Sequence, residues 1–140
     1  MRKFTRRQFH LVVGAGASAA LASACTTGTQ GTATFGGGVA HLSFMTFPSL
    51  ANPGGAVTVD VPGYFPMVVV RTDPTSAVAL SATCTHAFCL MAFDGTDVRC
   101  PCHDARFGLD GSVLFGPTSI PIPTYTATVG PEGIDVQITS

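Results

Sequence analysis

The twenty residues from Cys84 to His103 constrain this chain most, because they hold four of its five cysteines and two of its four histidines. Two short motifs contain them: Cys84-Thr85-His86 and Cys100-Pro101-Cys102-His103. Thiolates and imidazoles are the side chains that bind zinc and iron in proteins. The stretch therefore predicts a metal site formed by two loops.

The spacing of the motifs favours an iron–sulfur cluster. Each motif supplies one cysteine and one histidine, and thirteen residues separate His86 from Cys100. A [2Fe–2S] cluster needs four ligands, and two imidazoles on one iron raise its reduction potential. We therefore predict one cluster per chain, with Cys84 and Cys100 on one iron and His86 and His103 on the other.

Two cysteines of this stretch remain after the ligands are assigned. Cys89 and Cys102 lie in the same two loops, and disulfides persist in proteins that are exported to oxidising compartments. We predict a Cys89–Cys102 disulfide that joins one loop to the other. In the chain-entropy model, closing so short a segment contributes up to about 3 kcal/mol.

The first 25 residues predict an export signal rather than an ordinary N-terminal helix. Thr5-Arg6-Arg7-Gln8-Phe9 is a twin-arginine pattern, and a weakly apolar segment of 14 residues, Leu11–Ala24, follows it. That segment is too short to span a bilayer by itself and ends in a small-residue cleavage pattern. We expect a protein that is periplasmic or attached to the outer side of the cytoplasmic membrane.

Cys25 follows the predicted cleavage site, and Leu21–Cys25 is similar to a lipoprotein box. Three outcomes remain open: a lipid on Cys25 that attaches the protein to the membrane, cleavage without a lipid, and retention of the segment as an anchor. Residues 26–38 are rich in Thr and Gly and predict a linker without regular structure.

The rest of the chain, residues 39–140, is predicted to be one domain. Beyond residue 25, three arginines face eight acidic residues, a formal net charge of −5, which does not favour nucleic-acid binding. Val57, Val59 and Val61 alternate with polar residues, as in a strand with one buried face. Met67–Thr72 is rich in β-branched residues and does not alternate, as in a strand buried on both faces.

Residues 124–129 and 134–138 also alternate and predict a closing hairpin. Asp94-Gly95 predicts a two-residue connection between Leu90–Phe93 and Thr96–Cys100, which would bring the two Cys/His motifs together. The predicted fold class is all-β, a small antiparallel β-sandwich or barrel with a two-loop cluster-binding subdomain.

The motifs Cys-Thr-His-x-x-Cys and Cys-Pro-Cys-His closely resemble those of the Rieske iron–sulfur family. The resemblance is to the branch with a disulfide, which includes subunits of cytochrome bc complexes and of arsenite oxidase, and it covers the chain from Val39 to its end. It implies a non-enzymatic electron carrier, or small electron-transfer subunit of a periplasmic oxidoreductase complex, with redox proteins as partners. It also implies that the loop at Pro117 covers the cluster.

The chain departs from the family pattern at three places. Ala87-Phe88 stands where the family usually has Leu-Gly, Asp104-Ala105 where it often has Gly-Ser, and Phe107 where a tyrosine is common. The serine and tyrosine hydroxyls of the family donate to cluster or cysteine sulfur. Since hydrogen bonds to sulfur raise the potential, we expect this chain to have a lower one than quinol-oxidising relatives, and the charge of Asp104 to act in the same direction.

Three alternatives stand beside this hypothesis. One is the Rieske subunit of a quinol-oxidising cytochrome bc-type complex. Another is a zinc-stabilised binding module, although zinc sites usually show Cys-x2–4-Cys pairs and no such pair here leaves the histidine spacing of a zinc finger. The third, an oxygenase, needs a further mononuclear iron with two histidines and a carboxylate. Only His10, in the signal, and His41, expected to be structural, remain for that role.

Overall fold

The computed structural model describes residues 28–139; the predicted export signal and Cys25 lie outside them. This part of the chain forms eleven strands and one short 3-10 helix, Pro48–Ala51. The strands are β1 Thr34–Gly36, β2 Val39–Ser43, β3 Ala56–Val59, β4 Met67–Arg71, β5 Ala77–Ser81, β6 Ala92–Phe93, β7 Val98–Arg99, β8 Arg106–Phe107, β9 Val113–Phe115, β10 Thr124–Val129 and β11 Gly133–Gln137. Among the described residues, no helix is long and apolar enough to cross a membrane. The predicted all-β fold is confirmed.

The larger sheet has seven strands in the order β1-β2-β11-β10-β5-β4-β3. All its pairings are antiparallel. Only Thr124 and Tyr125 of β10 pair with β5, so this is the narrow junction between the two halves. Leu42 and Ile134 from one half share a single buried core with Val69 from the other half. The sheet therefore folds back on itself around this core, as a small half-barrel.

Residues before β1 join the opposite edge of this sheet. Gln30 N–H donates to the Thr58 carbonyl at 2.7 Å, and Ala33 N–H donates to the Asp60 carbonyl at 2.9 Å. The predicted unstructured linker over residues 26–38 is therefore wrong from Gln30 onward. Its Thr/Gly composition hides Ala33, which is buried against the core, and backbone hydrogen bonds do not depend on side-chain composition.

Strand β4 separates two cores. Met67 and Val69 face the half-barrel core, whereas Val68 and Val70 face a second core beneath the two cysteine motifs. This confirms that Met67–Thr72 contains a strand buried on both faces. The prediction of one exposed face for β3 is wrong at Thr58, which is buried with its hydroxyl donating to the Met91 carbonyl at 3.2 Å. This hydrogen bond offsets the cost of burying the hydroxyl.

The smaller sheet, β6-β7-β8-β9, carries the cysteine motifs. Phe93 pairs with Val98, so four residues rather than two connect β6 to β7. The predicted two-residue turn is wrong because the Asp94 side chain forms the turn: its carboxylate accepts hydrogen bonds from the N–H groups of Thr96 and Asp97 at 2.9 and 2.8 Å. The hairpin itself is present.

Candidate metal centre

Two tight loops bring the cysteine motifs to one end of the smaller sheet. The first cysteine loop, residues 84–91, is closed by hydrogen bonds from Cys84 N–H to the Cys89 carbonyl and from Phe88 N–H to the Cys84 carbonyl, both 2.9 Å. The second cysteine loop, residues 100–105, connects β7 to β8 and is closed by Cys100 N–H donating to the Ala105 carbonyl at 2.8 Å. The backbone of each loop is thus held by hydrogen bonds within that loop.

Among the described residues, two cysteines are not part of a disulfide, and both are fully buried. Cys84 and Cys100 each have 0% exposure, and both belong to the second core. Burial raises the pKa of the Cys100 thiol, and the neighbouring Cys84 acts in the same direction. The backbone N–H groups of Cys102 and His103 act in the opposite direction and lower the pKa of this thiol. Such donors stabilise negative charge on sulfur, which a cluster would bring.

The two histidines of the motifs lie on the solvent side. His86 and His103 are exposed, and their ring centroids are 4.7 Å apart with the ring planes at 84°. Two sulfurs inside and two imidazoles outside match the donor set of a cluster with one iron on each side. His41 is elsewhere, on β2, where its Nδ1 lies 2.5 Å from the Asp135 carboxylate on β11.

A disulfide joins the two cysteine loops. Cys89 and Cys102 are bonded, with their Cα atoms 6.5 Å apart, which is the predicted pairing. The sulfurs of Cys89, Cys100 and Cys102 lie within 4.8 Å of one another. Because disulfide sulfurs are not thiolates, this proximity does not form a second metal site; it places the disulfide next to the cysteine predicted to bind iron.

Both loops contain a residue with positive φ that is not glycine. Phe88 and Asp104 each have φ of 57°. They occupy the two positions at which the family usually has glycine, so those glycines correspond to a conformation that this chain adopts with larger side chains. Phe88 is 78% exposed, whereas the Asp104 carboxylate pairs with arginines of the adjoining strands.

A third segment, the proline loop of residues 116–123, packs against both cysteine loops. A Cβ on Gly116 would lie 2.6 Å from the Cα of Ala105, so the backbones are in close approach. The Thr85 hydroxyl donates to the Ile120 carbonyl at 2.8 Å and lies 3.1 Å from the Thr118 hydroxyl. Pro117, expected to cover the cluster, belongs to this loop and is itself exposed.

Sequence reasoning missed Thr85 and Gly116 as contacts between loops. The sequence shows that Thr85 lies between two predicted ligands and that Gly116 precedes a proline. It does not show that they contact Ile120 and Ala105. Ala105, the last residue of the second cysteine loop, and Phe107 on β8 are completely buried, so hydroxyls at these positions would be shielded from water. The charge that we expected Asp104 to add beside His103 is offset by two guanidinium groups.

Comparison with known proteins places these residues in a family. The profile of the Rieske [2Fe–2S] domain matches residues 47–126, more than half of the chain. The cytochrome b6-f complex iron-sulfur subunit of Chlorobaculum tepidum is 36% identical over 73 residues, which are 51% of this chain and 40% of that protein. A cytochrome b6-f iron-sulfur subunit of Synechocystis is 29% identical over 116 residues, 74% of this chain and 61% of that protein. The chain thus spans about half the length of these relatives.

Solved structures agree with this assignment. The plasma membrane Rieske protein of Synechocystis PCC 6803 superposes with a TM-score of 0.55 at 26% identity, covering 69% of this chain and 96% of that one. The ferredoxin of carbazole 1,9a-dioxygenase from Nocardioides aromaticivorans superposes with a TM-score of 0.53 at 29% identity, covering 63% of this chain and 88% of that one. Both cover most of the solved chain, so the likeness extends over a whole domain.

Proposed function

This chain belongs to the Rieske [2Fe–2S] family, and from that premise we propose how its own residues serve electron transfer. Proteins of this kind carry single electrons on a [2Fe–2S] cluster, and this chain is such an electron-transfer protein. We assign Cys84 and Cys100 to the buried iron and His86 and His103 to the exposed iron. The observation that carries the assignment is the pairing of two buried thiols with two exposed, adjacent imidazoles.

Different residues of the site serve to shield the cluster from water and to connect it to a redox partner. The cluster supplies the one-electron couple, and no bond in a substrate is made. The buried cysteine side excludes water, while the histidine rings at the surface provide the short path to a partner. The disulfide and the Thr85 contacts fix the three loops relative to one another, so the histidine edge keeps one geometry when charge changes.

The physiological setting that we propose is export by the twin-arginine route, with the protein acting as a periplasmic carrier or as a small subunit of an oxidoreductase. The twin-arginine pattern and the family's need for a cofactor support this, because that route carries folded proteins. A lipid on Cys25 would keep the domain at the membrane. The second candidate is a subunit of a quinol-oxidising bc-type complex, favoured by the similarity to cytochrome b6-f iron-sulfur subunits.

Metal analysis and EPR of the full chain, matured in a host with iron–sulfur assembly, test the assignment. We expect two irons and two acid-labile sulfides per chain. Cys84→Ser and His103→Ala should abolish the Rieske EPR signal, and the control His41→Ala, which removes a histidine outside the loops, should retain it. Loss of the signal in the control, or iron-free wild-type protein, would refute the ligand set.

Purification of the tagged protein from its own organism separates the two settings. Recovery alone or with a catalytic oxidoreductase subunit supports the carrier proposal. Recovery with a b-type cytochrome and quinol-dependent reduction of the Rieske centre supports the bc-type alternative instead. Mass analysis of the N-terminal peptide in the same preparation shows whether Cys25 carries a lipid.

A further inference from the structure

The base of the second cysteine loop carries two like charges face to face. Arg99 on β7 and Arg106 on β8 are directly paired residues of adjacent antiparallel strands. Directly opposite side chains point to the same face of the sheet, and like charges in this position are destabilising. Strands β7 and β8, on either side of the loop that bears His103, therefore carry two cations that repel each other unless an anion lies between the guanidinium groups.

Asp104 occupies that place. Its carboxylate oxygen Oδ1 is 2.5 Å from Arg99 Nε and 3.6 Å from Arg106 Nε. The same oxygen thus faces both cations and converts a repulsive pair into an attractive group of three. The loop that separates the arginines along the chain also supplies the anion that joins them.

To reach the arginines, Asp104 adopts a conformation that few residues accept. Its φ of 57° lies in the left-handed region, which aspartate tolerates better than most side chains do. The turn at this residue lies between the exposed ring of His103 and Ala105, whose carbonyl closes the loop. Fixing Asp104 therefore fixes the orientation in which the chain leaves His103.

Another carboxylate acts on the same arginines, but from a different position. Asp94, in the β6–β7 turn, has its pKa lowered chiefly by the backbone N–H groups of Asp97 and Thr96, with smaller contributions from Arg106 and Arg99. Its oxygen is already engaged by its own turn. Asp94 adds negative charge nearby but does not tie the second cysteine loop to its strands.

We propose that Asp104 is a positioning residue: by lying between Arg99 and Arg106, it holds the second cysteine loop in the conformation that presents His103 beside His86. The inference rests on the proposed ligand set. It differs from electrostatic tuning of the cluster, because its consequence is loop order rather than potential. All three side chains are between 36% and 48% exposed, so the effect on global stability is small.

The test compares Asp104→Asn with the control Asp94→Asn in the cluster-loaded full chain. Both substitutions remove one negative charge near the same arginines and leave an amide oxygen that can still accept a hydrogen bond. We expect cluster loss to a chelator to be about two- to fivefold faster in Asp104→Asn, the range of an exposed ion pair, and amide exchange in residues 103–105 to speed up likewise. The control should match the wild type in both measurements.

A second substitution distinguishes repulsion from simple charge loss. Adding Arg99→Gln to Asp104→Asn removes one of the opposed cations, so the rate of cluster loss should return to within about twofold of the wild type. If Asp104→Asn cannot be isolated with iron, recovery of iron in the double variant supports the proposal and its absence overturns it. Unchanged loss and exchange rates in Asp104→Asn also overturn it, even if the potential shifts.

These outcomes separate the inference from the proposed function. Amide exchange of the second cysteine loop is measured on the backbone and does not require that His103 bind iron. If His103→Ala retained the Rieske signal while Asp104→Asn loosened the loop, the ligand assignment would fail and the loop-ordering role would stand.

Discussion

At the scale of single residues, burial divides the site. The paired cysteines are shielded from water and the paired histidines are exposed, although all four lie within one stretch of sequence. Hydrogen bonds within each loop orient the side chains. The apolar second core beneath the loops buries the cysteines and leaves the histidines exposed to water. Substitutions in that core next to sulfur should therefore change the potential without changing the ligands.

Hydroxyls introduced at the end of the second cysteine loop and in β8 should raise the reduction potential. Ala105 and Phe107 are both completely buried, so a new O–H would have few competitors for a nearby sulfur acceptor. We expect Ala105→Ser and Phe107→Tyr each to shift the potential upward within the roughly −150 to +300 mV range of Rieske centres. Redox titration followed by EPR measures this. No upward shift in either variant contradicts our account of the departures from the family.

Like Asp104, Phe88 has a left-handed backbone conformation that is costly for a residue other than glycine. A left-handed conformation costs an ordinary L-residue about 1–2 kcal/mol, whereas glycine adopts it freely but costs about 0.5–1 kcal/mol in unfolded-chain entropy. Since Phe88 is exposed, little apolar burial is lost on its removal. We expect Phe88→Gly to leave the free energy of unfolding unchanged or raise it by up to about 1 kcal/mol.

Phe65 provides the matched control for this prediction. It is 71% exposed and is not among the residues with positive φ. Phe65→Gly should therefore lower the free energy of unfolding, by about 0.5–1 kcal/mol. Denaturant titration of both variants decides the matter; a larger loss in Phe88→Gly than in Phe65→Gly would contradict a strained backbone at Phe88.

At the scale of elements, the second cysteine loop lies between two very short strands, and the first is followed by another; side chains hold these strands as much as strand pairing does. Strands β6, β7 and β8 have two residues each, too few to be stable by themselves. Asp94 forms the β6–β7 turn, Asp104 lies against the β7–β8 pair, and Thr85 joins the first cysteine loop to the proline loop. The second core, shared with β4 and β5, anchors the whole assembly.

Removal of the Asp94 carboxylate should weaken the β6–β7 turn in a pH-dependent way. Two backbone N–H groups donate to this carboxylate and hold its pKa below the ordinary 3.8. Asp94→Ala should therefore lower the free energy of unfolding at neutral pH by about 0.5–1 kcal/mol. Because the native pKa is depressed, this contribution is complete above the unfolded-state pKa and is lost as pH falls through the lower native value.

Denaturant titrations at neutral pH and between pH 4 and pH 2 check this, since the ordinary pKa of 3.8 lies at the upper edge of that window. The difference between wild type and Asp94→Ala should shrink as the pH falls. Asp94→Asn is the control, because its amide oxygen accepts the same hydrogen bonds and does not titrate. A difference that grows toward low pH would contradict the assigned role.

At the scale of the whole molecule, the half-barrel acts as a platform. One face of β4 and β5 completes its core, and the other supports the cysteine loops. Residues 30–33 close the half-barrel by joining the edge at β3. The segment thus lies against β3, whose Thr58 hydroxyl also donates to the carbonyl of Met91 in the first cysteine loop.

Truncation tests this closure. Removing residues 1–28 spares the closing segment and should leave stability unchanged. Removing residues 1–33 deletes Ala33 and three backbone hydrogen bonds with residues 58–60, which should cost about 2–4 kcal/mol at about 1 kcal/mol for each bond plus apolar burial. Thermal unfolding of both truncated chains, each with and without the cluster, measures this difference in stability. Equal stability of the two would mean that residues 30–33 are a linker after all.

The sequence by itself determined the chemistry and the class of fold. The Cys/His spacing predicted a two-loop metal site, and the alternating segments predicted an all-β domain, because donor types and side-chain periodicity are properties of short segments. The apolar run of β4 even predicted a strand buried on both faces.

Only the tertiary structure decided what each of these segments touches. The role of residues 30–33, the burial of Thr58 and the position of Asp104 between two arginines all depend on groups distant in sequence or on backbone atoms. Backbone donors and acceptors are the same in every residue, so composition cannot show which of them pair. The register that sets Arg99 opposite Arg106 likewise follows from strand pairing, which no local pattern specifies.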